Sequence, residues 1–233
     1  MHYSNPGIES CLERPSSIFK DLTQKEKEII AQHHSLVVLK KGDSLFKEDD
    51  KIRGMAYLVS GKLKVFKVGV GGREQILKMV SENDCFGYQS LFGSSMWSFS
   101  TAAVEDSVVC ILEKQAIIRI LKKNQELSLR LNRVLCEELY TSYDRTVSLT
   151  QKHVRGRLVE SLLMLAKIYG YEEDGKTIGV ALSREDIAHL SNMTTSNAIR
   201  TLSVMASEGK IRIKGRKIAL VDSDSLEHIN ELG

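Results

Sequence analysis

Residues 182–205 of the 233-residue chain read LSREDIAHLSNMTTSNAIRTLSVM. Ser183 stands where a helix N-cap is expected, and Asp186 follows at the spacing of a capping box. Thr194 offers a second cap, and the small Ala188 allows two helices to approach closely. The apolar residues after the second cap, expected to face inward, are Ala198, Ile199, Leu202 and Met205. The stretch therefore predicts two short helices joined by a tight turn, a helix-turn-helix.

A basic hairpin is predicted directly after these helices. Residues 211–220 read IRIKGRKIAL, with alternating apolar residues on both sides of a glycine turn. From Lys210 to Lys217 there are five Lys or Arg residues and no acidic residue, although the whole chain has a formal net charge of only +3. A solvated turn would explain the lysines alone, but not their position beside the second helix. The pattern favours a wing that contacts DNA phosphates.

The first half of the chain predicts short β-strands. Eight glycines fall within residues 42–93. Between and beyond them lie runs rich in β-branched and aromatic residues, at 35–39, 56–59, 63–68, 75–80 and 107–112. Short strands separated by turn signals are typical of a β-sandwich or barrel. We therefore predict a β domain over residues 1–112.

A long helix is predicted next, over residues 113–149. This segment has no proline or glycine. Its apolar residues recur at helical spacing: Ile117, Leu121, Leu127, Leu131, Leu135 and Leu139. We expect this stripe to pair with the same helix of a second copy. Packing against the chain's own barrel is the alternative, and both arrangements can hold at opposite ends. Residues 150–233 are predicted to form the third part of the chain, the domain that contains the helix-turn-helix and the wing. This domain begins with a helix over residues 153–169.

Composition excludes several classes of protein. The chain is 42% hydrophobic and 27% charged, which is unlike a disordered chain. It has no apolar run of membrane-spanning length, and its N-terminal residues lack the features of a signal peptide. The four cysteines are widely separated, which predicts reduced thiols rather than a disulfide framework. We expect a soluble cytoplasmic protein with no membrane partner.

With a β domain in its first half and a helix-turn-helix in its second, the chain resembles the Crp/Fnr family of bacterial transcription regulators. Residues 41–50 (KGDSLFKEDD) and 57–65 (YLVSGKLKV) look like the family's cyclic-nucleotide-binding barrel, and residues 182–205 look like its helix-turn-helix. The resemblance implies an α+β fold: a β jelly-roll barrel, a long dimerisation helix and a winged helix-turn-helix. It also implies that the protein is not an enzyme. Instead, a homodimer would bind a palindromic operator in double-stranded DNA, under the control of an unidentified effector. The resemblance leaves open whether RNA polymerase is a further partner.

The resemblance assigns DNA contacts to individual residues. Ser183 and Arg184 match positions that touch the DNA backbone, and Thr194 caps the recognition helix (about 195–208) where a phosphate is received. Arg200 stands at a base-reading position, from which a guanidinium can hold guanine O6 and N7 together. The remaining members of the set are Thr195, Ser196, Asn197, Lys214, Arg216 and Lys217. Because the family's best-known members have Arg and Glu where this chain has two small hydroxyl residues, their operator sequence does not transfer.

The resemblance also places an effector pocket in the barrel. Its expected residues are Gly87, Tyr88, Gln89, Trp97, Ser98, Phe99, Ser142 and Tyr143. Members that bind cyclic AMP have Glu at the position of Tyr88 and Arg at the position of Trp97. A cyclic phosphate without that arginine loses a bidentate, charge-assisted partner. We therefore expect no cyclic AMP binding of the usual kind. A larger aromatic effector and a pocket filled by its own side chains both remain open.

The sequence also bears on other cofactors and on other functions. An iron–sulfur cluster is not expected, because Cys11 is the only cysteine near the N-terminus. Haem binding is not excluded, because His33, His34 or Cys85 could serve as an axial ligand. No other metal site is predicted. The rival functions are a ligand-sensing module whose helix-turn-helix binds protein, and an enzyme on a cupin-like barrel. The second would need a His-x-His pair, which the chain lacks.

Overall fold

The computed structural model describes residues 18–93 and 96–233, with the side chain of Ser90 left out. The strands in this part are β1 (His34–Leu39), β2 (Gly54–Ser60), β3 (Leu63–Val68), β4 (Glu74–Val80), β5 (Cys85–Phe86), β6 (Ser100–Ala103), β7 (Ser107–Glu113), β8 (Ile211–Lys214) and β9 (Lys217–Leu220). The helices are α1 (Gln24–Gln32), α2 (Gln89–Phe92), α3 (Lys114–Leu121), α4 (Gln125–Gln151), α5 (Val154–Tyr169), α6 (Arg184–Leu190), α7 (Thr195–Ser207) and α8 (Ser223–Leu232).

The chain divides into two compact units. The first contains the described residues up to Lys67 together with Val80–Leu139. The second contains Val68–Met79 and Tyr140–Gly233. In the described ranges, no helix is long and apolar enough to cross a membrane.

The strands of the N-terminal half form two sheets. One has the order β1-β7-β2-β5 and the other the order β4-β3-β6. Strand β2 lies between two neighbours, with Tyr57 opposite Cys110 on one side and Cys85 on the other. Its residues from Gly54 to Val59 are all buried, so both faces of this strand pack inside the domain. The five expected strands are confirmed, but the sheets do not close into the barrel that the sequence suggested.

The hydrophobic core of the first unit has two parts. One joins strands β2 and β7 to the helices and includes Tyr57, Leu112 and Ile117. The other lies between the strands and includes Phe46 and Trp97. Their apolar side chains are almost completely removed from water, which is the main favourable contribution to the stability of such a domain.

The predicted long helix is wrong in one respect, because it is two helices. Residues 122–124 separate α3 from α4. The Asn124 side chain accepts a hydrogen bond from the Leu127 amide (2.9 Å), which gives α4 its own N-terminal cap. Leu127 and Leu131 of the apolar stripe are buried in the core of their own unit, which is the stated alternative to pairing with a second copy. Leu139, towards the other end of the stripe, is 50% exposed, and its pairing with a second copy stays a prediction.

The second unit contains the predicted helix-turn-helix and wing. Helix α5 ends at Gly170, whose φ of 65° is unfavourable for other residues. Helices α5, α6 and α7 bury one side each, and α8 packs on α5. Strands β8 and β9 form an antiparallel ribbon in which Ile211 faces Leu220. This ribbon confirms the hairpin that the sequence predicts as a wing.

Candidate nucleic-acid interface

The first helix of the motif, α6, begins as its sequence predicts. Ser183 Oγ accepts a hydrogen bond from the Asp186 amide at 2.9 Å. The same hydroxyl donates to the Asp186 carboxylate at 2.6 Å. This reciprocal pair satisfies one of the amides that a helix N-terminus leaves without an intrahelical acceptor. The start of α6 is therefore fixed locally, independently of any ligand.

The turn between the two helices is buried and held by three features. Asn192 has a φ of 50°, which reverses the chain after α6. The Met193 amide donates to the Ala188 carbonyl at 3.0 Å. Ser191, fully buried, shares a hydrogen bond with Ser161 of α5 at 2.9 Å. These contacts fix the direction in which the recognition helix leaves the turn.

The recognition helix is α7, and it presents a polar first turn. Thr194 caps it, accepting a hydrogen bond from the Asn197 amide at 3.2 Å. Thr194, Ser196 and Arg200 are exposed, and Thr195 and Asn197 are half-buried. The structure brings these five predicted residues together on one end of one helix. Anions are favoured at such a helix N-terminus, because its free amides and dipole point outward.

For one residue of α7, the prediction that its side chain faces inward is wrong. Ile199 is 48% exposed, whereas Ala198, Leu202 and Met205 are buried as expected. A helical period of 3.6 residues places Ile199 with Ser196 and Ser203, on the outer side. An apolar side chain is therefore exposed beside Arg200, which the sequence did not reveal because Ile199 lies three residues from the buried Leu202.

The wing presents its basic residues at a tight turn. Lys214 and Lys217 face each other at the end of the ribbon, and the turn between them consists of Gly215 and Arg216. Gly215 has a φ of 60°, as the first position of a two-residue hairpin turn of this kind requires. All four residues are exposed. Lys217 is already in an ion pair with Glu172, at 2.6 Å, so Lys214 and Arg216 are the more available cations of the wing.

The loop that supplies Glu172 is ordered by an aspartate. Asp174 accepts hydrogen bonds from the Thr177 hydroxyl at 2.6 Å, and from the amides of Thr177 and Lys176. These bonds lower the pKa of Asp174 to about 2. The carboxylate is therefore charged at neutral pH and keeps this loop in place beside strand β9, where Thr177 bridges to Ala219.

Arg184 differs from the other predicted DNA-binding cations in being half-buried. Its Nη2 donates to the Gly215 carbonyl at 2.8 Å, which joins the start of α6 to the wing turn. Burial lowers the pKa of Arg184. Its Nη1 is buried and has no hydrogen-bond partner among the described residues. One donor of this side chain is therefore fixed on the wing turn, and another is buried without a hydrogen-bond partner in the described part of the chain.

In the first unit, the expected effector pocket contains a stacked aromatic pair. The rings of Phe46 and Trp97 lie 3.8 Å apart between centroids and are nearly parallel. Phe99 packs at an angle against both. Trp97 is 5% exposed, and its ring lies against Gly87, where a Cβ atom would come within 2.5 Å of it. The Trp97 side chain thus belongs to the core of its domain.

Tyr88 is also a core residue. It is fully buried, and burial together with the neighbouring Glu138 carboxylate raises its pKa. Gln89 is exposed and donates to the same carboxylate at 3.0 Å. Both side chains therefore meet helix α4 at Glu138, a contact that sequence reasoning missed.

The remaining predicted pocket residues are exposed. Ser98 is exposed, and its carbonyl accepts a hydrogen bond from Lys67. Ser142 and Tyr143 are exposed on the part of α4 that belongs to the second unit.

The candidate haem ligands have other partners. His33 pairs with Glu113 at 3.0 Å, and His34 Nδ1 lies 2.9 Å from the Ala31 carbonyl. Cys85 is half-buried in strand β5. Cys11 lies outside the described residues. Among those described, no group of three or more His, Cys, Asp or Glu could hold a metal ion.

Two family models match the chain, in the order that the fold shows. The cyclic nucleotide-binding domain matches residues 36–124, and the Crp-like helix-turn-helix domain matches residues 156–229. The chain belongs to the Crp/Fnr family. Members of this family are DNA-binding transcription regulators and not enzymes.

Relatives of this Crp/Fnr regulator are distant. A CRP-like cAMP-activated global transcriptional regulator of Mycobacterium tuberculosis is 27% identical over 80% of this chain and 84% of its own. Electron transport regulator A of Shewanella oneidensis is 25% identical over 81% of this chain and 75% of its own. The structure of FixK2 from Bradyrhizobium japonicum covers 84% of this chain and 97% of its own, with a TM-score of 0.75 and 21% identity.

The cyclic nucleotide that the domain name implies does not fit the residues of this Crp/Fnr regulator. A cyclic phosphate needs charge-assisted donors. Where the resemblance expects an arginine, Trp97 offers one indole N–H on a ring stacked against Phe46. The cation beside it, Lys67, is paired with Glu48 at 2.8 Å.

Proposed function

We propose that this Crp/Fnr regulator binds an imperfectly palindromic operator as a homodimer, with α7 in the major groove and the wing on the backbone. The observation that carries this proposal is that Ser196 and Arg200 of α7 are exposed in the same compact unit as the exposed cations of the wing. Phosphates position such a protein, and base edges supply its sequence preference.

Roles follow from side-chain chemistry and exposure. Arg200 reads a guanine through two hydrogen bonds, and the neighbouring Ile199 contacts a thymine methyl group. Thr194 and the free amides of α7 receive a phosphate. Lys214 and Arg216 contact further phosphates and carry no sequence information.

The dimer is proposed from an exposed stripe on α4. Leu129, Cys136, Tyr140, Tyr143 and Val147 are all exposed, at intervals of seven, four, three and four residues. This is the heptad spacing at which a helix pairs with another helix. Leu129, Tyr140, Tyr143 and Val147 are each 51–67% exposed, which makes them an apolar strip open to water. A second copy of α4 would cover them and place two recognition helices about 34 Å apart.

Selection from a pool of random-sequence duplexes tests this proposal. We expect enrichment of two inverted half-sites with centres about 10–10.5 base pairs apart, bound by two chains per duplex, with affinity that falls steeply with salt. The recovered duplexes can be counted by sequencing, and the stoichiometry can be measured by native mass spectrometry. Recovery of no motif, together with salt-independent binding, would support the rival function in which the motif binds protein.

We further propose that the effector is not a cyclic nucleotide bound in the usual manner. Because Trp97 is the only tryptophan in the chain, its fluorescence reports directly on this part of the domain. Addition of cyclic AMP or cyclic GMP should leave the emission unchanged, and equilibrium dialysis should find no saturable binding. Saturable binding with a shift of the Trp97 emission would contradict the proposal, since the ring would then have moved out of its stack. Free tryptophan titrated with the same nucleotide controls for absorption by the nucleotide itself.

A further inference from the structure

The wing turn is anchored to the rest of the second unit at two points. Gly215, at the tip, accepts a hydrogen bond from Arg184 through its carbonyl at 2.8 Å. Lys217, at the base of the turn, pairs with Glu172 at 2.6 Å. Each strand of the ribbon has only four residues. A short isolated two-stranded ribbon is at best marginally stable, so such anchors decide where its tip lies.

Arg184 is suited to hold this tip. The Ser183 cap fixes the backbone from which its side chain leaves, and the side chain is half-buried. A guanidinium is planar and always charged, and its donors have a rigid geometry. The hydrogen bond that it makes to a carbonyl therefore restrains direction as well as distance.

We propose that Arg184 is a positioning residue for the wing. By fixing the Gly215 carbonyl, it sets where Lys214 and Arg216 meet the DNA backbone relative to α7. Loss of Arg184 removes the phosphate contacts of the wing along with any contact of its own. The proposal rests on the proposed DNA binding. It differs from the role that the sequence resemblance implies, in which Arg184 is an independent backbone contact.

A double-mutant cycle tests the proposal. The variants are Arg184→Met, a wing variant with Lys214→Ala and Arg216→Ala, and their combination, each measured on the duplex recovered by selection. In the unaltered wing, Arg184→Met should weaken binding roughly tenfold or more. In the wing variant, the same change should cost much less, because the contacts that Arg184 positions are already absent.

The salt dependence of binding distinguishes a positioning role from a merely structural one, because a structural role would leave the number of phosphate contacts unchanged. Each phosphate contact contributes about 0.9 to the slope of log affinity against log salt. Arg184→Met should lower the slope by about 1.8 or more, which corresponds to both wing contacts. The matched control is Arg212→Met, an exposed arginine on strand β8, which should give the same fold-change in both wing backgrounds.

The outcomes separate this proposal from the proposed function. Equal fold-changes in the two backgrounds, with a slope reduced by about 0.9 or less, would make Arg184 an independent contact and overturn the proposal while leaving DNA binding intact. Failure of the unaltered protein to bind the duplex would overturn both. Thermal unfolding of each variant checks folding. If Arg184→Met does not fold, the same cycle and criterion apply to Arg184→Lys, which keeps the charge but not the planar geometry.

Discussion

Replacing Arg145 by methionine should lower the free energy of unfolding of the second unit by about 2–4 kcal/mol. Arg145 Nη2 donates to the carbonyls of Leu190 at 2.6 Å and Ile76 at 3.1 Å. Leu190 is the last residue of α6, so its carbonyl has no intrahelical donor. Burial of the guanidinium lowers the pKa of Arg145. The side chain therefore joins helix α4, strand β4 and the end of the first motif helix.

Urea unfolding, with hydrogen exchange of the amides in α6 and α7, measures this effect. The control is Arg119→Met at an exposed arginine of α3, which should change the free energy of unfolding by less than about 1 kcal/mol. If Arg145→Met unfolds at the same urea concentration as the unaltered protein, with unchanged exchange, the two carbonyl hydrogen bonds contribute nothing measurable to stability.

Replacing Arg200 by alanine should relax the sequence preference, whereas replacing Lys214 should not. A bidentate arginine–guanine pair contributes about 1–3 kcal/mol of discrimination. Arg200→Ala should therefore weaken binding to the selected duplex about 5- to 150-fold, with little effect on a scrambled duplex. Lys214→Ala should weaken binding to both duplexes by the same factor and lower the salt slope by about 0.9.

Competition between the two duplexes, at several salt concentrations, separates the two roles. Lys123→Ala, at an exposed lysine of the first unit, is the control and should leave both affinities unchanged. Equal losses on both duplexes for Arg200→Ala would assign Arg200 to the backbone and leave base reading to the other residues of α7.

Local signals in the sequence were sufficient for the DNA-binding motif. The caps at Ser183 and Thr194 act through hydrogen bonds to amides three residues away, and the wing depends on a glycine turn between alternating apolar residues. Such interactions involve neighbours in sequence, so the sequence alone predicts them. The break at Asn124 also rests on a local cap, but the apolar periodicity on both sides of it continues and gives no sign of the break.

The partners of the polar and aromatic side chains could not be predicted in this way. Trp97 stacks on Phe46, which is far away in sequence, and only the pairing of the strands brings the two rings together. Strands β5 and β6 were missed because they are short and carry little apolar alternation. Ile199 was placed on the wrong side because an apolar residue was assumed to be buried.

The sequence by itself determined the order of the domains, the helix-turn-helix, the wing and the family, because all of these depend on spacing and local hydrogen bonding. Only the tertiary structure decided which cations are free to meet DNA. Lys217 is paired with Glu172, Arg184 is fastened to Gly215, and Arg145 is used inside the unit, whereas Arg200 and Lys214 are exposed. The physical reason is that a charged side chain takes its partner from whatever the fold brings within about 3 Å, and that partner lies elsewhere in the sequence.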